Sequence, residues 1–489
     1  MKIHLVFSPA MSISSLEALA ESMWPPLGIL YIAAYLRSKM PEAEIKITDG
    51  ALIGFEKTWE EIEAFTPDVL GISFYTMSTD GASALARQAK KKLPKMTVVM
   101  GGPHTTALPL ETLRHSHADL AVVGEGELAF YQIVQAINSG CSAQELYKLS
   151  GVWAIERHGV KEIVHENPAT PFVSALDMLP FPAWDLIDFT RYKGWYLSKQ
   201  SPEATIFSAR GCPYWCTFCS NAVWKSSRPT LRMRSAKNVA DEVEMLYRKY
   251  GIREFFDQAD EFNNSLENAL EICREIKKRN LGMTWKAQLR VKPFTEELAR
   301  KMAEAGCWYV HLGIETGNQE TIEGIGKKID LKDVETTCAL LKKYKIKVLG
   351  LFMLYNVWEE DGKLRFEDSE ASLKTLAFAK DLFKKRLIDY ISCSITAPYP
   401  GSKLFDIAIR HNLINPRLLT DWEAWQKEEL FMITLPQINR PEQQMVKMKW
   451  ESLRVRCLLR SWQFKLKDIP FLMKRALHLF LASRAKTAT

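Results

Sequence analysis

The sequence contains no uninterrupted apolar run of about 20 residues, the length that a helix needs to cross a bilayer. It also lacks a disulfide framework, because its nine cysteines are odd in number and six of them stand far from any other cysteine. The opening MKIHLVFSPA has no signal-peptide apolar segment or small-residue cleavage site and is typical of a buried strand. These absences argue against a membrane-spanning or disulfide-rich secreted protein and favour a reducing, cytoplasmic setting.

What the 489 residues do contain is two series of alternating strand and helix patterns, so two or three domains are expected. Residues 1–145 predict an open parallel α/β sheet of flavodoxin or Rossmann type, and the proline-rich residues 146–200 predict a linker. Residues 201–404 offer six strands separated by amphipathic helices, which predicts a partial (β/α)6 barrel of TIM type. Residues 405–489 predict a helical, basic C-terminal region.

Three cysteines gather within eight residues in the stretch SARGCPYWCTFCSN, with no fourth cysteine nearby. A structural zinc site would want four ligands, commonly as two paired half-sites, and the sequence has no second C-x-x-C or H-x-x-x-H. Buried structural thiols are the other plain interpretation. The spacing favours a 4Fe–4S cluster held by three thiolates, with one iron left open for a substrate or cofactor. The predicted cluster ligands, and the catalytic centre, are Cys212, Cys216 and Cys219.

This loop, placed after the first strand of a βα series, resembles the motif of the radical S-adenosylmethionine (SAM) superfamily. The resemblance implies that the open iron binds the amino and carboxylate groups of SAM, which is then cleaved to a 5′-deoxyadenosyl radical. FFDQADEF, WKAQLR and HLGIETG resemble later strands of that barrel. Together with the cysteine loop they imply four SAM contacts, with a salt-bridged barrel rim as the alternative for the charged ones: Phe218, Asp257, Arg290 and Glu315.

The N-terminal stretches WPPLGILYIAAYLR, VVMGGPHTT and VVGEGE match, in order and spacing, the cobalamin-dependent subgroup of radical SAM enzymes. Glycines at strand ends allow close approach of a ligand to the backbone at the carboxyl edge of such a sheet. The resemblance implies a set of cobalamin contacts: Asp49, Gly54, Ser73, Gly101, Gly102, Gly124, Glu125 and Gly126. His104 is a further polar candidate there, a solvent-exposed loop histidine being the plainer interpretation.

One departure concerns the cobalt ligand. Many cobalamin proteins carry Asp-x-His-x-x-Gly after a strand, and the matching segment here is DGALIG. Ala51 occupies the histidine position and cannot ligate cobalt. Two interpretations stay open, cobalamin bound without that lower ligand, which is favoured, or a domain that has lost cobalamin. A second departure is YNVWEEDG, which replaces the glycine-proline turn of relatives, so Trp358 is either a pocket residue or a core tryptophan.

The resemblance implies an enzyme acting on an unactivated carbon, with methylation of a hydrophobic small molecule or lipid favoured. The alternative is ring closure or oxidation without methyl transfer, as in the anaerobic magnesium-protoporphyrin cyclase. A radical methylthiotransferase, which would want three more N-terminal cysteines, a cobalamin-free enzyme and a non-catalytic binding protein are less favoured. The expected electron donor is a flavodoxin or ferredoxin.

The net charge of +7 resides in the tail, because residues 441–489 hold eleven Lys or Arg against three Asp or Glu. DIPFLMKRALHLFLASRAK predicts a cationic amphipathic helix, either packed on the barrel or lying on anionic lipid at the inner face of the membrane. No RNA-binding module is recognisable, so no nucleic-acid partner is expected. Trp422 and Trp425 are candidates to cap the barrel mouth.

Overall fold

The computed structural model describes residues 1–9, 24–192, 198–225, 229–419, 421, 432–436 and 438–460. Trp422, Trp425 and the predicted tail helix lie outside the described residues. Among the described helices, none combines the length and the apolar character needed to span a membrane.

The N-terminal part is built on a seven-stranded sheet. Its strands are β1 Lys2–Phe7, β2 Glu44–Asp49, β3 Val69–Ser73, β4 Thr97–Gly101, β5 Leu120–Val122, β6 Val152–His158 and β7 Lys161–His165. They lie in the order β2-β1-β3-β4-β5-β6-β7, in which β1 to β5 are parallel and the last two strands are antiparallel additions. The order 2-1-3-4-5 is the flavodoxin-like winding, whose ligands bind outside the carboxyl ends of the strands.

Helices cover this sheet: α1 Leu27–Lys39, α2 Gly50–Ile53, α3 Phe55–Phe65, α4 Thr79–Lys92, α5 Pro103–Ala107, α6 Pro109–Ser116, α7 Gly126–Asn138 and α8 Ala143–Leu146. The sheet continues past residue 145, since β6 and β7 fall within the stretch that the sequence analysis assigned to the linker. Their sequence VWAIERHGVKEIVH has a His-Gly turn between two extended runs, which suits a hairpin added to a sheet edge.

The second part is a six-stranded, entirely parallel sheet in the order β17-β14-β13-β12-β11-β8, so that β8 and β17 are its edges. The strands are β8 Glu203–Ile206, β11 Glu254–Asp257, β12 Thr284–Arg290, β13 Cys307–Glu315, β14 Lys347–Leu354 and β17 Tyr390–Ile395. Two short antiparallel ribbons accompany them, β9 Ala209–Gly211 with β10 Leu231–Met233 and β15 Val357–Glu360 with β16 Lys363–Phe366. The α/β class and the partial barrel predicted from the sequence are confirmed.

The helices around this sheet are α9 Ala236–Tyr250, α10 Leu266–Arg279, α11 Glu296–Glu304, α12 Gln319–Gly324, α13 Leu331–Lys343, α14 Ser369–Lys384, α15 Lys403–Arg410 and α16 Arg440–Arg460. Local sequence sets their ends. The Ser235 hydroxyl accepts a hydrogen bond from the Asn238 N–H at the start of α9, and Gly251 ends that helix in the left-handed conformation. The ring of Trp450 on α16 packs against Phe352 of β14, so α16 covers the outer face of the sheet.

Each part has its own apolar core, and α1 also packs into the core of the barrel part. Leu27 and Leu30 of α1 belong to the same buried cluster as the outer face of the barrel strands, together with Trp184 of the connecting segment. Burial of apolar surface between two units favours a fixed arrangement over free hinge motion. The carboxyl edges of both sheets can therefore form one site.

Candidate functional site

The cysteine loop, residues 212–219, follows β9 directly. Its middle is held by backbone hydrogen bonds on two sides, since the Thr217 N–H donates to the Ile325 carbonyl over 2.9 Å and the Leu404 N–H donates to the Thr217 carbonyl over 2.8 Å. The Cys219 N–H donates to the Cys216 carbonyl over 3.1 Å, which closes a turn between two of the thiols. Segments that follow β13 and β17 thus fix the conformation of the loop.

The chemistry of this loop suits a thiolate-held cluster. All nine cysteines are free thiols, so the three in the loop are available as ligands. Burial raises the pKa of the Cys212 thiol to about 12 and that of the Cys219 thiol to about 11, and an incoming metal must therefore displace protons. Within the described part of the chain no three His, Cys, Asp or Glu side chains, those of the loop included, are placed to share a single ion, and a 4Fe–4S cluster does not require this because each thiolate binds a different iron.

Arg290, at the end of β12, lies against this loop. Its guanidinium stacks on the ring of Tyr214, 3.7 Å from the ring centroid, and its Nη1 lies 3.5 Å from the Glu261 carboxylate. The side chain is buried, yet its Nη2 has no hydrogen-bond partner among the described residues. A buried guanidinium with an unused donor is costly unless a ligand accepts it, and a carboxylate is the natural acceptor.

Glu315 ends β13 in an unusual backbone conformation. Its φ is +70° and the strand register shifts between Gly313 and Glu315, which re-aims the side chain. Lys327 Nζ donates to Glu315 Oε1 over 2.7 Å, and both side chains are buried. Burial alone would lower the pKa of Lys327, but the adjacent Glu315 carboxylate raises it above its ordinary value. A Cβ at Gly313 would lie 2.7 Å from Lys327 Nζ, so this glycine makes room for the pair.

The other predicted SAM contacts differ in placement. Asp257 is buried at the end of β11, and its Oδ1 accepts from the Ser208 and Ala259 N–H groups over 3.1 and 3.0 Å. It therefore joins the ends of β8 and β11. Burial raises the pKa of Asp260, whose carboxylate contacts Asn221 just after the cysteine loop. Phe218 is half-buried against the barrel core.

The carboxyl edge of the first sheet carries three glycines, of which Gly101 has open space beside its backbone. A Cβ at Gly101 would meet no atom within 4 Å, which leaves open space at the end of β4. Gly102 has φ +98°, and a Cβ there would lie 2.6 Å from the Phe74 carbonyl oxygen and 3.1 Å from Ser73 Oγ. Gly124 has φ +86° at the end of β5, and its N–H donates to Thr106 Oγ1 of α5 over 3.1 Å. Such an edge fits a flat, bulky cofactor approaching the backbone.

The DGALIG segment forms the short helix α2. Asp49 caps it by accepting from the Ala51 N–H over 3.1 Å, and Gly54 separates α2 from α3 with φ +80°. Tyr192, from the connecting segment, donates its hydroxyl to Asp49 Oδ2 over 3.1 Å. Burial raises the pKa of Asp49 to about 7, although both hydrogen bonds oppose the shift. The Asp49 carboxyl is thus a buried group that caps the helix containing Ala51.

Packing within the chain accounts for the surroundings of four other residues. Both carboxylate oxygens of Glu125 bind Arg232, and Gly126 begins α7, where a Cβ would lie 2.6 Å from Ile32 Cδ1. The expectation of an exposed His104 is wrong, because the ring is buried with Nδ1 3.1 Å from Thr76 Oγ1, and burial lowers its pKa to about 3. Trp358, on the β15–β16 ribbon that replaces the glycine-proline turn, is a buried core residue against Gly324.

The two edges meet at α5. This helix begins at Pro103, directly after Gly101 and Gly102, and it contacts the 3-10 helix Ser220–Lys225, which begins directly after Cys219. A ligand on the glycine edge would therefore lie close to the cysteine loop. Sequence reasoning missed Lys327 and Tyr192, and no local signal could have found them, since their partners are brought near only by the fold.

Comparison with known proteins agrees with this arrangement. Residues 15–134 match the family model described as the B12 binding domain, and residues 206–364 match that of the radical SAM superfamily. An uncharacterized methyltransferase of Pyrococcus horikoshii is 33% identical over 428 residues, which covers 87% of this chain and 86% of the relative. The anaerobic magnesium-protoporphyrin IX monomethyl ester cyclase of Rubrivivax gelatinosus is 27% identical over 387 residues, 78% of this chain and 66% of the relative.

The fold has a solved counterpart. The radical SAM methyltransferase TsrM of Kitasatospora setae, solved with cobalamin and a 4Fe–4S cluster bound, superposes with a TM-score of 0.64. The sequences are 18% identical, and the match covers 85% of this chain and 79% of that chain. At this identity the likeness concerns the fold.

Proposed function

The chain belongs to the family of B12-binding radical SAM enzymes, and from that premise we propose that it methylates an unactivated carbon of a hydrophobic small molecule or lipid. When bound, the family's 4Fe–4S cluster and SAM supply a carbon-centred radical, and cobalamin supplies the methyl group. The observation that supports the proposal is the contact of α5 with the 3-10 helix after Cys219, because ligands at the glycine edge and at the cysteine loop would then lie close to each other.

We assign roles to the residues around that space. Cys212, Cys216 and Cys219 would hold the cluster, and Arg290, with its unused buried donor, would bind the SAM carboxylate. Glu315, paired with Lys327, would accept hydrogen bonds from SAM. The edge formed by Ser73, Gly101, Gly102 and Gly124 would receive cobalamin, whose lower face then has no ligand from the Ala51 position.

An apolar substrate suits the barrel. Phe352 of β14 turns outward to Trp450, so its neighbours Leu351 and Met353 lie on the opposite, inner face of the strand. Both are incompletely buried although β14 is an interior strand of the sheet, and they therefore offer apolar surface to a ligand. The similarity to a methyltransferase favours methyl transfer, while the similarity to a tetrapyrrole cyclase keeps ring closure as the second candidate.

The test is a cofactor and product count on anaerobically purified protein from cells supplied with cobalamin. We expect about four irons and about one cobalt per chain. With SAM, a reduced flavodoxin or ferredoxin and substrate, methylation yields equal amounts of 5′-deoxyadenosine and S-adenosylhomocysteine, because a second SAM restores the methyl group. Deoxyadenosine without S-adenosylhomocysteine would instead identify ring closure or oxidation. Four irons without cobalt would contradict the cobalamin assignment.

We also propose that the basic tail brings the enzyme to anionic membrane, on the sequence pattern of residues 469–486. Deleting the chain after Asp468 removes four Lys or Arg and the apolar face of the predicted helix. Flotation with phosphatidylglycerol vesicles is expected to drop at least about tenfold, since each basic residue near such a surface contributes about 1 kcal/mol. Phosphatidylcholine vesicles provide the control. Equal flotation of both proteins would favour a tail helix packed on the barrel.

A further inference from the structure

Two arginines face each other beside the cysteine loop. Arg210 of β9 lies two residues before Cys212, and it is paired across the ribbon with Arg232 of β10. Like charges opposite each other on paired strands repel, and the Arg232 side chain is buried while that of Arg210 is only 15% exposed. The ribbon therefore needs anionic partners from elsewhere in the chain.

Those partners come from the first sheet, at the turn between β5 and α7. Glu127 accepts from Arg210 over 2.7 Å, while Arg232 contacts both oxygens of Glu125, one of them over 2.9 Å. Arg210 also lies 3.4 Å from Glu125, so the four groups form one neutral cluster, here called the interdomain clamp. A two-pronged arginine–carboxylate contact fixes orientation as well as distance.

Further contacts hold the arginines in place. The Arg210 guanidinium stacks on Tyr31 of α1 at 4.6 Å, and that of Arg232 stacks on Phe172 at 4.5 Å. Arg232 also donates to the Val173 carbonyl over 2.8 Å. Because the charges are desolvated, removing one member would leave a buried charge without compensation.

The clamp acts on both presumed cofactor sites at once. Glu125 stands between Gly124 and Gly126 at the glycine edge, and Arg210 leads directly into Cys212. The far end of the cysteine loop meets the same edge, since α5 contacts the 3-10 helix Ser220–Lys225 and Thr106 of α5 accepts from the Gly124 N–H. The loop is thus tied to the first sheet before its first cysteine and after its last.

We propose that the interdomain clamp sets the separation between the cobalamin edge and the cluster loop, which makes Glu125, Glu127, Arg210 and Arg232 positioning residues. This role rests on the proposed function, because it presumes both cofactors. It also explains why the GEGE segment, residues 124–127, carries two carboxylates, since their oxygens bind the two arginines. Group transfer between two bound cofactors depends steeply on their relative placement, so a rigid joint at this point is required for the reaction.

The test measures the distance between cob(II)alamin and the one-electron-reduced cluster by pulsed dipolar EPR. Glu127→Gln is expected to broaden or shift the distance distribution with iron and cobalt contents unchanged. The matched control is Asp389→Asn, which breaks an ion pair with Lys342 (2.7 Å) whose two members both lie in the barrel part. It should lower the melting temperature similarly and keep the wild-type distribution. A wild-type distribution in Glu127→Gln would overturn the proposal.

Two additions keep the result interpretable. If Glu127→Gln does not fold, Arg210→Lys replaces it, because lysine keeps the charge and loses the two-nitrogen geometry. Hydrogen exchange of protein without added cofactors is the second measurement. We expect faster exchange in residues 103–126 and 209–225 of the clamp variant and no change in residues 103–126 of Asp389→Asn. Unchanged exchange in the clamp variant would contradict the clamp, whereas iron without cobalt in the wild type would contradict only the proposed function.

Discussion

A Cys216→Ala variant is expected to lose SAM cleavage, with 5′-deoxyadenosine falling by at least about a thousandfold and bound iron falling well below four per chain. Two thiolates hold such a cluster poorly, and metal affinity falls with each lost ligand. The fold should survive, because the loop is fixed by the backbone bonds of Thr217 to Ile325 and Leu404, which need no side chain at position 216. Anaerobic product analysis and iron quantification measure the effect.

The matched control is Cys141→Ala, since Cys141 is half-buried between α7 and α8, on the N-terminal part of the chain. It should keep the iron content and the deoxyadenosine yield of the wild type. Deoxyadenosine production that persists in Cys216→Ala, at a rate close to that of this control, would refute the cluster assignment. Loss of activity with an unchanged iron content would instead indicate that Cys216 contacts the substrate and is not a cluster ligand.

The parts of the fold that the sequence predicted are those encoded locally. The barrel strands are short apolar runs, such as KVLGLFML, and the helices between them carry their own caps, such as Ser235 and Gly251. The cysteine loop was recognisable for the same reason, because its three cysteines lie within eight residues. The β6–β7 hairpin was not predicted, because the proline-rich stretch that follows it led to the whole region being assigned to a linker.

The parts that could not be predicted depend on pairs distant in the chain. A carboxylate between two glycines suggested a cofactor contact for Glu125, but its partner Arg232 lies 107 residues later. His104 follows a glycine turn and resembles an exposed loop residue, and only the packing of α5 on Phe74 and Thr76 buries it. Lys327 and Lys328 are adjacent, and the local sequence does not indicate which of them is buried. Lys327 is the buried one because it packs against Glu315 and Gly313, which lie on another element.

The buried pair of Glu315 and Lys327 allows stability and SAM binding to be separated. Either Glu315→Gln or Lys327→Met alone should lower the free energy of unfolding by about 3–5 kcal/mol, because each leaves one buried charge uncompensated. The double variant Glu315→Gln/Lys327→Met should recover most of that loss, since exchanging a whole buried pair for neutral groups is often neutral. Lys343→Met, which breaks an exposed pair with Glu296, should leave the stability close to that of the wild type, because exposed ion pairs contribute little.

Binding of SAM distinguishes the two roles of the pair. If Glu315 accepts hydrogen bonds from SAM, the double variant should bind SAM at least about tenfold more weakly than the wild type despite its recovered stability, because the charged acceptor is gone. If the pair only stabilises the end of β13, SAM affinity should return together with stability. Calorimetric titration with SAM measures the affinity, and thermal unfolding measures the stability. Both are needed for the wild type, the two single variants and the double variant. Recovery of both would remove Glu315 from the SAM site and leave Arg290 as its charged residue.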